Sequence, residues 1–102
     1  MSGDVANYYR KIIRAKGWSG EDAEAILHRV LLIAELKEII KSNNWTQKEA
    51  ALRLRVSQPR VAEINKVCID KFSTDLLIKY LYRLQRSIKI EVISAAAKTH
   101  TS

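Results

Sequence analysis

The 102-residue chain has one cysteine, one proline, three glycines and one phenylalanine. Each scarcity excludes something. A single thiol, Cys68, cannot close an internal disulfide and leaves no CxxC pair for metal or redox chemistry. Set between Val67 and Ile69, it reads as a small buried hydrophobe rather than a reactive thiol. With so little proline and glycine, breaks are few and helices should dominate. Long apolar runs are missing as well. Residues 30–34 (VLLIA) are the longest, interrupted by Glu35, where a membrane span needs roughly 20 apolar residues. The opening stretch, MSGDVANYYRKIIRAKGW, lacks the apolar run of a signal peptide. A cytoplasmic location is expected.

Acids are the minority charge. Eleven Asp and Glu face 18 Lys and Arg, a formal charge of +7 and a pI near 9.8. That excess favours DNA, RNA or an anionic membrane surface without choosing among them. The 47% hydrophobic content suits one compact domain.

The periodicity is helical along most of the chain. Val5, Tyr8, Tyr9, Ile12 and Ile13 share one face of a helix over residues 4–15, with Arg10, Lys11 and Arg14 opposite. Gly17 and Gly20 break it, and Ser19 with Asp22 resembles an N-cap with an acid in the first turn. A second helix spans about 21–41 on Ile26, Leu27, Val30, Leu31, Ala34, Ile39 and Ile40. After Asn43-Asn44, Thr46 and Glu49 have the spacing of a capping box. The third helix ends near Arg53, Ser57 caps a fourth with Pro59 in its first turn, and Ser73 caps a fifth. Leu76, Leu77, Tyr80, Leu81 and Leu84 line that last helix.

After Ser87 the period changes. Residues 88–93, IKIEVI, alternate like a strand, with Ile88, Ile90 and Val92 on one side. A lone strand needs a partner for its backbone groups. The chain offers no second one, so the same strand of another subunit, antiparallel about a two-fold axis, is the expected partner. The alternative is an extended tail packed on the core.

Residues 46–61, TQKEAALRLRVSQPRV, carry the functional signal. Two short helices joined by a three-residue turn form a helix-turn-helix. Ala51 is small where the second helix crosses the first. Ala50, Leu54, Val56, Val61 and Ile64 are apolar where the pair must be held from inside, and Leu54-Arg55-Val56 is the turn. The turn residue prefers glycine for its left-handed backbone, yet here it is Arg55, at a cost of roughly 1 kcal/mol. In such a pair the second helix enters the major groove N-terminus first. Ser57, Gln58 and Arg60 are then the outward candidates for base contacts: glutamine pairs with adenine and arginine with guanine. Ser57 is also an N-cap, and Gln58 and Arg60 are alternatively a plain solvated face. Gln47, Lys48, Arg53, Arg55 and Lys66, with Lys71, are candidates for phosphate contacts or simple surface charge.

Residues 26–93 resemble the XRE family, the Cro/repressor-type helix-turn-helix proteins. The likeness is closest to small regulators that include HigA-type antitoxins. It rests on WTQKEAA, VSQPRVAEI, KFSTDLLIKYLYRL and the alternating IKIEVI. The chain departs from the family at Arg55 and at Arg86-Ser87, where glycines are usual. The resemblance implies an all-α fold: a five-helix, lambda-repressor-like domain with an extra N-terminal helix and a short C-terminal strand. It also implies a homodimer on a palindromic operator, a repressor role and, for antitoxin members, a partner toxin. The expected division is a helix over 1–18, the DNA-binding domain with its dimerisation strand over 19–93, and a flexible tail over 94–102.

Catalysis is not expected. His28 lies on a helix and His100 in the tail, without spaced ligands for a metal. No glycine-rich phosphate loop occurs, and no cofactor is implied. The N-terminal helix packs on its own domain or docks on a protein partner through Tyr8 and Tyr9. RNA binding has charge in its favour but no platform of aromatics for stacking.

Overall fold

The computed structural model describes residues 3–94. Five α-helices follow one another: α1 (Gly3–Ala15), α2 (Gly20–Ser42), α3 (Gln47–Leu54), α4 (Gln58–Asn65) and α5 (Thr74–Arg83), with a 3-10 turn at Ile69–Lys71. The N-terminal helix is one of the five. The helix-turn-helix unit therefore has four α-helices plus that single 3-10 turn, one full helix fewer than the resemblance implies.

The spine is α2. Its buried positions are Ile26, Leu27, Val30, Ile33, Leu36, Ile39 and Ile40. At 3.6 residues per turn, Leu27 and Ile39 lie about 120° apart around the axis. The apolar stripe thus swings round the helix and serves two cores. The N-terminal half joins Ile13 of α1 in a small cluster of Ile26, Leu27 and Val30. The C-terminal half joins Ala50, Ala51, Leu54, Val61, Ile64, Phe72, Leu77, Tyr80, Leu81 and Leu84 in the main core. Cys68 packs partly buried against that core.

The N-terminal face is only half covered. Tyr9 and Ile13 meet α2, while Val5, Tyr8 and Ile12 remain exposed. The predicted apolar face is wider than the surface α2 offers.

The starts of the helices are as the sequence predicts. Thr46 and Glu49 form a full capping box, and Ser57 and Ser73 accept from Arg60 N and Leu76 N. Ser19 occupies the N-cap of α2 but makes no side-chain cap bond. The ends follow one pattern, in which a left-handed residue is followed by a residue whose N–H reaches back into the helix. Trp18 N donates to Ile13 O, Trp45 N to Ile40 O, Val56 N to Ala51 O, Cys68 N to Glu63 O and Arg86 N to Leu81 O. The left-handed positions are Gly17, Asn44, Arg55, Val67 and Gln85. Only the first is a glycine, so most helix ends carry backbone strain; Val67, β-branched at φ 55, carries the most.

Residues 86–94 form neither helix nor strand. Ile88, Ile90, Val92 and Ile93 are exposed, Ile90 at 77% and Val92 at 92%. The predicted strand is absent from the single chain because a ladder requires a second strand, and none exists among the described residues. Nor does the segment pack on the core as a covered tail. The tail beyond residue 94 lies outside the described residues.

Candidate nucleic-acid interface

The interface is built from α3 and α4. The chain between them is Arg55, Val56 and Ser57, one residue later than the predicted turn. Arg55 is left-handed, with φ 60 and ψ 47. Val56 follows it and plugs partly into the main core. Ala50, Ala51, Leu54, Val61 and Ile64 are all buried, so the apolar positions that define the pair hold it together from inside. Ala51 keeps the helices close at their crossing.

A polar bridge ties the two helix N-termini. Gln47 Nε2 donates to Gln58 O at 2.8 Å. The Gln47 side chain is therefore spent inside the protein. The first-turn N–H groups of α3, with the positive end of the helix dipole, are what it leaves for a phosphate. Lys48, Arg53, Arg55 and Lys66 are exposed around the pair. Arg53 stacks over Trp45, 4.6 Å from the ring centroid. Lys71 is exposed too, its Nζ 4.0 Å from Glu63 Oε2.

Ser57 and Gln58 stand exposed at the mouth of α4. The Ser57 hydroxyl accepts from Arg60 N at 3.3 Å, and the Gln58 side chain makes no hydrogen bond within the protein. Arg60 departs from the sequence expectation: it is not outward. Its guanidinium lies over the Phe72 ring, 4.5 Å from the centroid. Nε donates to Tyr80 Oη at 3.3 Å, one terminal nitrogen to Lys71 O at 2.9 Å, and the other to Glu63 Oε1 at 3.4 Å. The cause is helical geometry. Arg60 sits about 40° from Ile64 around α4 and shares its inward side. The hydrogen bond donated to Tyr80, then the Glu63 carboxylate, raise the guanidinium's pKa, with partial desolvation opposing. The group stays charged throughout the pH range of a folded protein. A cation over an aromatic ring contributes roughly 0.5–2 kcal/mol.

A second arginine does similar work on α3. Arg83 Nη1 donates to Leu54 O at 2.9 Å, the last carbonyl of α3, and its guanidinium lies 5.3 Å from the Tyr80 ring centroid. Tyr80 is thus the hub at which both interface helices are fixed to α5. The sequence reading missed Arg83, whose contact spans 29 positions.

The outward face of α4 carries Gln58, Pro59, Ala62, Asn65 and Lys66. All but Ala62, which is partly buried, are exposed. Ala62 and Asn65 were not among the predicted contacts, although spacing from Gln58 by four and seven residues marks them. Among the described residues no group of His, Cys, Asp or Glu is placed to hold a metal. No helix among the described residues is long and apolar enough to cross a membrane.

No curated protein and no solved structure matches the chain. A family model described as a helix-turn-helix domain matches residues 11–93, from the last turns of α1 to the exposed C-terminal segment. That span covers most of the sequence and contains the α3–α4 pair whose geometry is given above: the chain belongs to the helix-turn-helix domain family.

Proposed function

We propose that the chain is a sequence-specific DNA-binding transcriptional regulator, a repressor of the XRE type, which lays α4 in the major groove. One observation carries this reading. The α3–α4 pair presents an outer α4 face whose polar side chains are not used inside the protein, flanked by exposed Lys48, Arg53, Arg55 and Lys66. Side chains on that face reach base edges while the flanking cations and the N-terminus of α3 meet phosphates. The charge of +7 supports a polyanion partner. The regulator acts as a homodimer on a palindromic operator, joined through Ile88, Ile90 and Val92.

The test is a competition. A duplex selected from a random-sequence pool is labelled, and unlabelled duplex DNA, RNA of the same sequence and scrambled duplex compete for the protein. Displacement by the selected duplex alone is expected. Equal displacement by the RNA or the scrambled duplex would refute sequence-specific DNA binding.

A second role has an observation of its own. Tyr8 and Ile12 leave an apolar strip of α1 exposed, which fits docking of a protein partner, as in the HigA-type antitoxins. A complex with the product of the adjoining reading frame that survives gel filtration, and is lost in Tyr8→Ala, is the expected result. Persistence of that complex in Tyr8→Ala would remove α1 from the contact.

A further inference from the structure

We propose that Arg60 is a positioning residue that aims α4, and that base reading falls to Gln58, Ala62 and Asn65 on the opposite face. This rests on the DNA-binding reading above and assigns its specificity.

The donor inventory comes first. A guanidinium has five N–H groups. Arg60 directs all three of its nitrogens at protein acceptors: Tyr80 Oη, Lys71 O and Glu63 Oε1. Its flat face is covered by Phe72. Three of the five N–H groups are thus engaged and the side chain is turned to the inward side of α4, so a bidentate reach to a guanine edge would require withdrawing it from these partners. Those partners come from three places: α4 itself, the turn at Ile69–Lys71 with the Phe72 that follows it, and α5. The side chain therefore fixes the tilt of α4 against α5. Tyr80 extends the brace to α3, because Arg83 lies against its ring and donates to Leu54 O. Both helices of the pair are held at one hub.

The opposite face of α4 has the reverse character. Gln58, Ala62 and Asn65 fall within about 60° around the helix. Neither amide side chain is spent inside the protein. Each has a donor and an acceptor side by side, the arrangement that pairs with the adenine edge in the major groove. Ala62 lies between them and projects almost nothing, so the helix can approach the base edges closely, and its methyl suits contact with a thymine methyl. Lys66 closes the strip where a phosphate would flank it.

The test separates aim from reading. The full chain and its variants Gln58→Ala, Asn65→Ala and Arg60→Met are each used to select binding sites from a random-sequence duplex pool, and each is melted. Methionine keeps the stem over Phe72 and loses the hydrogen bonds. Gln58→Ala and Asn65→Ala should each lose preference at their own base pair and melt like the wild type. Arg60→Met should select the wild-type sequence, bind it and its single-base variants with a common loss of roughly tenfold, and melt lower. Tyr80→Phe, which removes only the hydroxyl that accepts from Nε, should show the same uniform loss. The proposal is overturned if Arg60→Met melts normally and loses preference at one base pair. It is equally overturned if Asn65→Ala keeps every wild-type preference, or if Tyr80→Phe leaves affinity unchanged. Failure of the wild-type chain to select any sequence would instead refute DNA reading itself, a result distinct from all of these.

Discussion

Arginines hold three different positions in the helix-turn-helix, and the position decides the job. Arg53 and Arg60 both stack on rings, over Trp45 and Phe72, but only Arg60 has its donors taken up. Arg55 has neither partner; what distinguishes it is its backbone, at φ 60. A left-handed conformation costs a non-glycine residue about 1–2 kcal/mol, and glycine in the unfolded chain gives back about 0.5–1 of that. Arg55→Gly is therefore expected to stabilise the domain by about 0.5–1 kcal/mol, a rise in Tm of a few degrees for a chain of this size. If Arg55 also meets a phosphate, the same variant binds every duplex more weakly and lowers the salt slope by about one. An unchanged or lower Tm would show that the turn relieves its strain elsewhere. The inward aim of Arg60 was legible in the sequence, since Val61 and Ile64 define the buried side of α4 and Arg60 lies beside Ile64. Its partners were not. Phe72 and Tyr80 lie 12 and 20 positions away, and periodicity within one helix says nothing about what another helix places against it.

The helices begin and end within about a residue of where the sequence places them, but the two kinds of terminus rest on different chemistry. Their starts rest on side chains with one chemistry: Thr46, Ser57 and Ser73 each accept a backbone N–H three residues on. Serine and threonine before an apolar run announce that bond. Their ends rest on backbone conformation, which the turn motif signals at Arg55 but which Val67 and Gln85 adopt without any compositional sign. The long α2 hid a second feature, because its stripe swings between two cores and leaves little amphipathic signal over the whole helix. Two predictions belong at this scale. Thr46→Ala removes the capping box and is expected to cost about 1 kcal/mol, read as a lower Tm. Ala51→Leu forces a branched side chain into the buried crossing of α3 and α4, where Ala51 is 6% exposed. The expected loss is about 1–3 kcal/mol, with weaker DNA binding because the angle of α4 opens. A melt equal to the wild type in Ala51→Leu would mean that the crossing has room, and that the alanine is not what sets it.

At the scale of the molecule, the open problem is residues 86–94. They leave α5 through a left-handed Gln85, Arg86 N donates back to Leu81 O, and the residues beyond hold Ile88, Ile90, Val92 and Ile93 toward solvent. Exposed β-branched side chains on one short segment, with no ladder partner among the described residues, are what an incomplete strand edge would present. The outer face of α5 adds Ile78 and Tyr82, one turn apart and also exposed. A second copy of the same segment, antiparallel across a two-fold axis, would satisfy both backbones and bring the two α5 helices near each other. Because Tyr80 of α5 holds Arg60 and Arg83, the same axis would set the spacing of the two α4 helices. Half-sites about 10 base pairs apart require them roughly 34 Å from each other. Ile90→Pro removes a ladder N–H and touches nothing in the core. The variant is expected to keep its helix content by circular dichroism, to sediment as a monomer at concentrations where the wild type is expected to sediment as a dimer, and to lose most of its affinity for a two-half-site operator. Binding to a single half-site, which needs the α3–α4 face of only one copy, should be unchanged. A wild-type chain that is monomeric at micromolar concentration, or a proline variant that dimerises and binds both half-sites normally, would detach the segment from DNA binding.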